Sequence, residues 1–454
     1  MSQLPQELLR DLQGIRGFDG DALQAAHQLP AVTSARLNPY KPSGVFATAE
    51  PVPWCATGRY LVERPSFTLD PLFHAGAYYV QEASSMFLHH MVHTLLPERD
   101  NLRVLDLCAA PGGKSTLLAS LLGKSSLLIS NEVIRPRASI LEENMTRWGY
   151  TNTWVTSNDP RDFSGLPGYF DLMVVDAPCS GSGLFRKDER ALGEWSEANV
   201  LLCAQRQQRI LADAWPALKE GGILIYATCS YSPQEDEEIL DWLSEDFSAE
   251  PLSVPLPEEW GIVATYSGKA GFTGYRFSPD KVKGEGFFIA ALRKTSETDA
   301  LRPAKFRSAH DKKIYAQASH LLQARDFACL KMGDEYNMIY PEHEADIAIL
   351  QKAVYLRRIG TPLGQPTAKE WLPAHDIALS IERSENIPSI SLDKDQALRF
   401  LKKEEVAMPM VEKGWHLVCY DGHSLGWVKS LGNRFNNYLP KHWRIRMDIR
   451  ELEG

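Results

Sequence analysis

The chain has 454 residues, 44% of them apolar and 24% charged, with a formal net charge of -9. That length asks for about two to four domains, and the composition is that of a folded globular protein rather than a disordered, repetitive or low-complexity one. The acidic balance excludes a wholly basic nucleic-acid binder, so any RNA contact must use local patches.

Pro5, Glu7 and Asp11 stand where a secretory leader needs a basic start and an apolar run. No apolar stretch reaches the roughly 18 to 20 residues of a membrane span. A cytoplasmic protein with no membrane association is expected. The seven cysteines, at 55, 108, 179, 203, 229, 329 and 419, are odd in number and irregularly spaced. Reduced thiols are therefore expected, with no disulfide framework and no zinc site. His89 and His93 have a metal-like spacing but no third ligand nearby, and read as a helix surface.

Residues 1–95 mix helical runs with Pro-rich loops such as Pro51-Val52-Pro53-Trp54, which predicts an N-terminal α+β appendage on the substrate side. From about residue 96 the pattern becomes regular. Apolar runs at 103–107, 126–130, 153–156, 171–175 and 222–228 alternate with helical stretches, predicting a parallel α/β sheet over 96–295. Ser232-Pro233-Gln234-Glu235 reads as the capped start of a helix, and 287–292 as a terminal strand. Residues 296–375 form a linker and connecting region of unassigned fold. In 376–454 two strand-like runs flank Asp421-Gly422, a hairpin signal that predicts a small β-rich module.

The first strand ends at Asp106 and opens into Cys108-Ala109-Ala110-Pro111-Gly112-Gly113-Lys114, where the glycines let the backbone bend and approach a ligand. A phosphate loop would need glycine at Cys108, so a nucleoside triphosphatase is disfavoured. Glu132, about 20 residues past the glycines, suits the ribose hydroxyls of an adenosyl ligand. Asp159, after the third strand, suits the adenine amino group, with an exposed loop carboxylate as the alternative.

Cys179, in Asp176-Ala177-Pro178-Cys179, and Cys229, in Ala227-Thr228-Cys229-Ser230, each close a buried strand. In a parallel sheet both face one crevice beside the methyl-donor pocket. Cytosine carbon 5 attacks a methyl sulfonium only after a nucleophile adds to carbon 6, and a thiolate adds and leaves readily. Charge then moves toward ring nitrogen 3, where Asp176 could hydrogen-bond, the alternative being a strand-end cap. A buried inert thiol is the common fate of a lone cysteine, as expected for Cys203, Cys329 and Cys419.

Segments 108–114, 176–184, Arg186-Lys187-Asp188, Thr228-Cys229-Ser230 and Tyr79-Val80-Gln81-Glu82-Ala83-Ser84-Ser85 together resemble the signature motifs of the Nol/Nop/Sun family of RNA cytosine-5 methyltransferases, over roughly 76–292. The resemblance implies a Rossmann-like class I fold dependent on S-adenosylmethionine. It implies Cys229 as nucleophile, Cys179 as the thiol that assists product release, and Asp176 as base binder. It further implies a donor site lined by Cys108, Ala109, Ala110, Pro111, Gly112, Gly113, Lys114, Glu132, Asp159 and Asp176, with Lys114 near the target base. Several relatives carry alanine or valine where Cys108 stands, so no catalytic role is expected of that sulfur. The runs 281–287 and 431–438 are similar to a bacterial branch that modifies 16S ribosomal RNA and ends in a PUA-like RNA-binding module. Naked RNA or the small ribosomal subunit is then the expected partner, with no obligate protein partner.

Three basic patches accompany these motifs: Arg276, Lys281 and Lys283; Arg302, Lys305, Arg307, Lys312 and Lys313; and Lys429, Arg434, Lys441, Arg444 and Arg446. The last interleaves Trp427, Phe435, Tyr438 and Trp443, which suits base stacking, with a solvated face as the alternative. Competing readings are an amino methyltransferase, a DNA cytosine-5 methyltransferase and a catalytically silent RNA-binding assembly factor. The missing aromatic after Pro178, the lack of further DNA-enzyme motifs and the intact cysteine pair disfavour these in turn.

Overall fold

A computed structural model describes residues 3–299, 301, 308–323 and 326–447. Its centre is one large mixed sheet. Strands β1 (Arg103–Asp106), β2 (Leu127–Asn131), β3 (Thr153–Thr156), β4 (Phe170–Asp176) and β5 (Leu218–Thr228) run parallel in the order β3-β2-β1-β4-β5. Beyond β5 the sheet turns antiparallel through β6 (Val263–Tyr266), β7 (Thr273–Phe277) and β8 (Phe287–Lys294), in the spatial order β5-β8-β7-β6. The five parallel strands coincide with the five apolar runs of the sequence.

Those runs are nearly unbroken because the sheet is covered on both faces. Alternate residues enter opposite cores: Val104, Leu128, Leu172, Val174 and Ile225 pack on one side. Leu105, Ile129, Met173, Val175 and Leu224 pack on the other. Helices α1 (Gly113–Leu121), α2 (Arg135–Trp148), α3 (Glu197–Ala214) and α4 (Glu237–Asp246) lie between the strands in sequence. Gly112, at φ 117°, turns the chain into α1, and Gly149, at φ 88°, closes α2 in the left-handed region.

The N-terminal part forms a separate four-stranded antiparallel sheet, ordered Pro51–Val52, Cys55–Leu61, Thr33–Leu37, Tyr78–Val80. Arg36 ties it to the central domain. Its buried guanidinium donates to Gln81 Oε1 at 2.8 Å and to Thr116 Oγ1 on α1 at 2.6 Å, and lies 4.6 Å from the Trp148 ring.

The described part of the connecting region carries regular structure. Ala328–Met332, Glu335–Ile339, Thr361–Pro366 and Trp371–Pro373 form an antiparallel sheet, and β9 (Leu356–Arg358) pairs with β3. The central sheet thus gains an edge strand from beyond residue 295, which the terminal strand at 287–292 gave no reason to expect. In the last sheet Gly414–Tyr420 and His423–Ser430 form the expected hairpin. Asp421 and Gly422 take φ values of 47° and 77°, the pair of positive angles that a tight primed turn demands.

One local expectation is corrected. The segment after Cys229 opens not with a Ser232-capped α-helix but with a 3-10 turn, Pro233–Glu235; Ser232 makes no capping bond, and α4 starts at Glu237. The reason is that the Glu235 carboxylate is drawn inward, onto the two cysteine loops.

Candidate active site

The order β3-β2-β1-β4-β5 reverses direction between β1 and β4, and ligands of open α/β sheets bind at the carboxyl ends of strands at such a point. There lies a cavity of about 360 Å³. Cys108, Ala109, Ala110, Pro111, Gly113 and Lys114 line it from the loop after β1, Asp176 from the end of β4 and Cys229 from the end of β5. Tyr79, Gln81 and Phe287 are among the residues of its remaining wall. Its volume and its mix of apolar wall with few polar groups are those of a small-molecule site.

Cys179 Sγ and Cys229 Sγ lie 3.0 Å apart, although 50 residues separate them. The hydrogen bond to Cys229 and burial both push the Cys179 thiol well up from its ordinary range, so Cys179 keeps its proton. Lys114 Nζ sits 2.7 Å from Asp176 Oδ2 and 5.0 Å from the centre of the Phe287 ring. Asp176 therefore stands in an ion pair with Lys114 and not alone at the end of β4.

Asp106, at the end of β1, is fully buried. Ser115 Oγ donates to its Oδ2 at 2.6 Å, while Oδ1 has no protein partner. Burial pushes this carboxyl up to about 7. Burial likewise raises the Cys108 thiol far above its ordinary value, so this sulfur is inert.

Four expected positions do not line this cavity, and one of them, Cys179, meets it only through its contact with Cys229. Gly112 shapes the loop from behind, where a Cβ would come within 3.3 Å of Leu141 Cδ1. Glu132, just beyond β2, accepts from the Ile134 amide at 2.9 Å and pairs with Arg137 at 3.3 Å. Asp159 caps the 160–165 turn and lies 3.4 Å from Arg209.

The entrance is braced by groups whose roles the linear sequence did not disclose. Arg186 forms a buried two-pronged bond with Glu285, at 2.8 and 2.9 Å, and Glu82 accepts from the amides of Ser84, Ser85 and Glu285, each at 2.9 Å. A Cβ on Gly183 would come within 2.3 Å of the Gly286 carbonyl oxygen, so only glycine allows these segments to meet. All these residues fall inside the quoted motifs, but spacing alone cannot say that distant acids and bases pair.

The basic patches fare unevenly. Arg276 is no surface group: it is buried against Asp236 and Glu237, which attract it inward. Lys281 and Lys283 are exposed but pair with Asp280 and Glu50. Trp427 and Trp443 are buried in the C-terminal cores and cannot stack bases, whereas Tyr438, Arg434, Lys441, Arg444 and Arg446 are exposed. Lys429 pairs with Glu370. Lys312 and Lys313 are exposed on the first turn of a short helix, while Arg302, Lys305 and Arg307 lie outside the described residues. His89 and His93 stack at 6.1 Å between ring centres. Among the described residues no group of three or more His, Cys, Asp or Glu could hold a metal, and no helix is long and apolar enough to cross a membrane. All seven cysteines are free.

Sheet order and cavity define an S-adenosylmethionine-dependent methyltransferase of Rossmann-like fold. A methyltransferase homolog protein from Pyrococcus horikoshii superposes with a TM-score of 0.53 at 28% identity, covering 64% of this chain and 100% of that one. NSun6 from Pyrococcus horikoshii with SFG shares the fold, with a TM-score of 0.54 at 20% identity over 65% of this chain and 99% of that one. Residues 92–293 match the family described as 16S rRNA methyltransferase RsmB/F, 4–83 the N-terminal domain of 16S rRNA methyltransferase RsmF, and 387–445 the methyltransferase RsmF PUA domain. Ribosomal RNA small subunit methyltransferase F of Aliivibrio salmonicida is 32% identical over 409 residues, 86% of this chain and 85% of that one. The Psychromonas ingrahamii protein of the same name is 31% identical over 474 residues, 97% of each. The chain belongs to the RsmF-type branch of the RsmB/F ribosomal RNA methyltransferase family.

Proposed function

We propose that this protein methylates carbon 5 of cytosine in 16S ribosomal RNA, in the cytoplasm, through a covalent bond from Cys229 to carbon 6 that Cys179 helps to break. The observation that carries this reading is the 3.0 Å approach of two free thiols, one of which lines a cavity of methyl-donor size. One thiol beside such a cavity would fit many chemistries. A second, protonated thiol against it fits one in which a sulfur first adds and must later be expelled.

S-adenosylmethionine supplies an electrophilic methyl group, and its place is the loop 108–114 with the cavity behind it. The unpartnered Asp106 Oδ1 offers a buried acceptor for a cationic donor. Glu132 and Asp159, beyond the ends of β2 and β3, continue the row toward ribose and adenine.

Cys229, as thiolate, adds to carbon 6, and the electron pair released into the ring reaches carbon 5 and nitrogen 3. The Lys114–Asp176 pair, 2.7 Å across, stabilises that charge by donating toward nitrogen 3. Cys179, kept protonated by its bond to Cys229, holds its sulfur on the adduct. After methyl transfer carbon 5 loses its proton to a solvent water or hydroxide, the electron pair left behind forms the carbon 5–carbon 6 double bond, and the carbon 6 to sulfur bond breaks to return the thiolate to Cys229.

A flipped or single-stranded cytosine is required, because a base stacked in a duplex does not offer its ring to a side chain that must add to carbon 6. The exposed Lys441, Arg444 and Arg446 supply phosphate contacts in the proposed RNA-binding module. Mapping methylated cytosines in 16S RNA from cells with and without the protein tests the reading: one or more 5-methylcytosines must vanish with it. Methyl groups found on nitrogen 4 instead would replace it with amino-group chemistry.

A further inference from the structure

The pairing of β4 with β5 ends at Asp176 opposite Ala227, and the last bond across it runs from the Ala177 amide to the Ala227 carbonyl at 2.9 Å. Both thiols lie two residues further on, where the strands have already parted into loops. Something other than the sheet must hold the sulfurs at 3.0 Å.

Glu235 stands at that place. Its carboxylate is fully buried and accepts four hydrogen bonds. Oε1 takes the Ser180 amide at 2.8 Å and Gln207 Nε2 at 3.0 Å; Oε2 takes Ser180 Oγ at 2.5 Å and Ser230 Oγ at 2.6 Å. Ser180 follows Cys179 and Ser230 follows Cys229, so one carboxylate grips the residue after each thiol. Gln207, on α3, also donates to the Pro178 carbonyl at 3.1 Å, and Tyr226 donates to Gln207 Oε1 at 3.0 Å and to the Glu235 carbonyl at 2.6 Å. The clamp is thus fixed to a helix and to β5.

Resting on the proposed cytosine chemistry, we infer that Glu235 is a positioning residue that sets the separation of Cys179 from Cys229 and thereby couples adduct formation to its release. It is fully buried and does not line the cavity. It acts by geometry: carbons 5 and 6 are adjacent, so the two sulfurs serve one ring only while they stay in near contact.

A thiol-proximity measurement on the full-length protein separates this role from the reaction itself. Diamide closes a disulfide between neighbouring thiols: each sulfur gives up one hydrogen, the nitrogen–nitrogen double bond takes both to become a hydrazine, and one sulfur–sulfur bond forms. Closure of 179 to 229, followed by peptide mapping, needs neither RNA nor methyl donor. Glu235→Ala should slow it about tenfold or more, since an error of an ångström in such a contact is costly. Glu235→Gln should recover closure to within about threefold of wild type, because serine hydroxyls can turn and accept from the amide. Ser180→Ala combined with Ser230→Ala gives the same reading from the other side of the clamp should Glu235→Ala fail to fold.

Closure of either clamp-less protein at the wild-type rate overturns the inference, as does Glu235→Gln behaving like Glu235→Ala. In parallel, kcat for methyl transfer should fall with the closure rate while KM for the methyl donor holds; unchanged kcat would remove Glu235 from the reaction. Closure that follows the clamp in a protein that methylates no cytosine would uphold the positioning and sink the proposed function alone.

Discussion

The cysteine end of the central sheet and the C-terminal module were both marked by local sequence signals, and they reached the folded structure differently. At the sheet, residues from segments scattered over 79–287 converge on one cavity, and two thiols 50 residues apart touch. In the C-terminal module a basic and aromatic run splits. Trp427 and Trp443 turn inward as core, while Lys441, Arg444 and Arg446 stay in water. A parallel sheet delivers every strand's carboxyl end to the same edge, so a motif written there has a fixed destination. A surface run has no such rule, and each residue goes wherever burial or a counter-charge takes it.

That contrast is broken most directly at the thiols. Cys229→Ala should lower methyl transfer by about 10³-fold or more, as loss of a nucleophile does, and should leave no protein–RNA adduct on a denaturing gel; retained turnover would end the assignment. Cys179→Ala should slow turnover by about 10²-fold while the adduct accumulates, and free release of product would show that the 3.0 Å contact is idle.

Arg276 sharpens the comparison from the other side, since it read as surface and is core. Removing it leaves Asp236 and Glu237 buried without their cation. Arg276→Ala should therefore cost about 3 to 5 kcal/mol in chemical denaturation, with the RNA affinity of the folded fraction unchanged. A stability loss under 1 kcal/mol, of the kind seen at exposed pairs, would contradict its burial.

Asp106 gives a pH dependence. Its folded carboxyl titrates at about 7, above the unfolded value of about 3.9. Between those values the native state binds more protons than the unfolded chain, so this group's contribution to stability is lost as pH rises toward 7. Asp106→Asn should equal wild type near pH 4 and exceed it by up to about 4 kcal/mol at pH 8 in the protein without methyl donor. Parallel denaturation curves at the two pH values check this, and an advantage that does not grow with pH would refute it.

The smallest effect is expected at the exposed patch. Lys441→Glu or Arg444→Glu should weaken RNA binding by about three- to tenfold at low salt, less at high salt, without altering methyl-donor binding. Unchanged affinity would make the patch plain surface.

Much of the architecture was legible in the chain alone. Five apolar runs became β1 to β5 because strands buried on both faces cannot alternate with polar residues. Asp421-Gly422 became a turn because few residue pairs accept two positive φ angles. The loop 108–114 became the cavity wall because its glycines follow a strand directly. These are local rules, settled within a few residues of backbone.

The folded chain alone decided the rest, since it depends on which distant groups meet. Glu235 read as the start of a helix and became the clamp of both cysteine loops. Asp176 read as a base binder or a strand-end cap and stands against Lys114. Leu356–Arg358 joined a sheet that seemed complete. A buried polar group must find a partner, and in one dimension nothing says which of 58 acids will face which of 49 bases. Covalent neighbours set the strands and turns; desolvation, acting across the closed interior, chose the pairs.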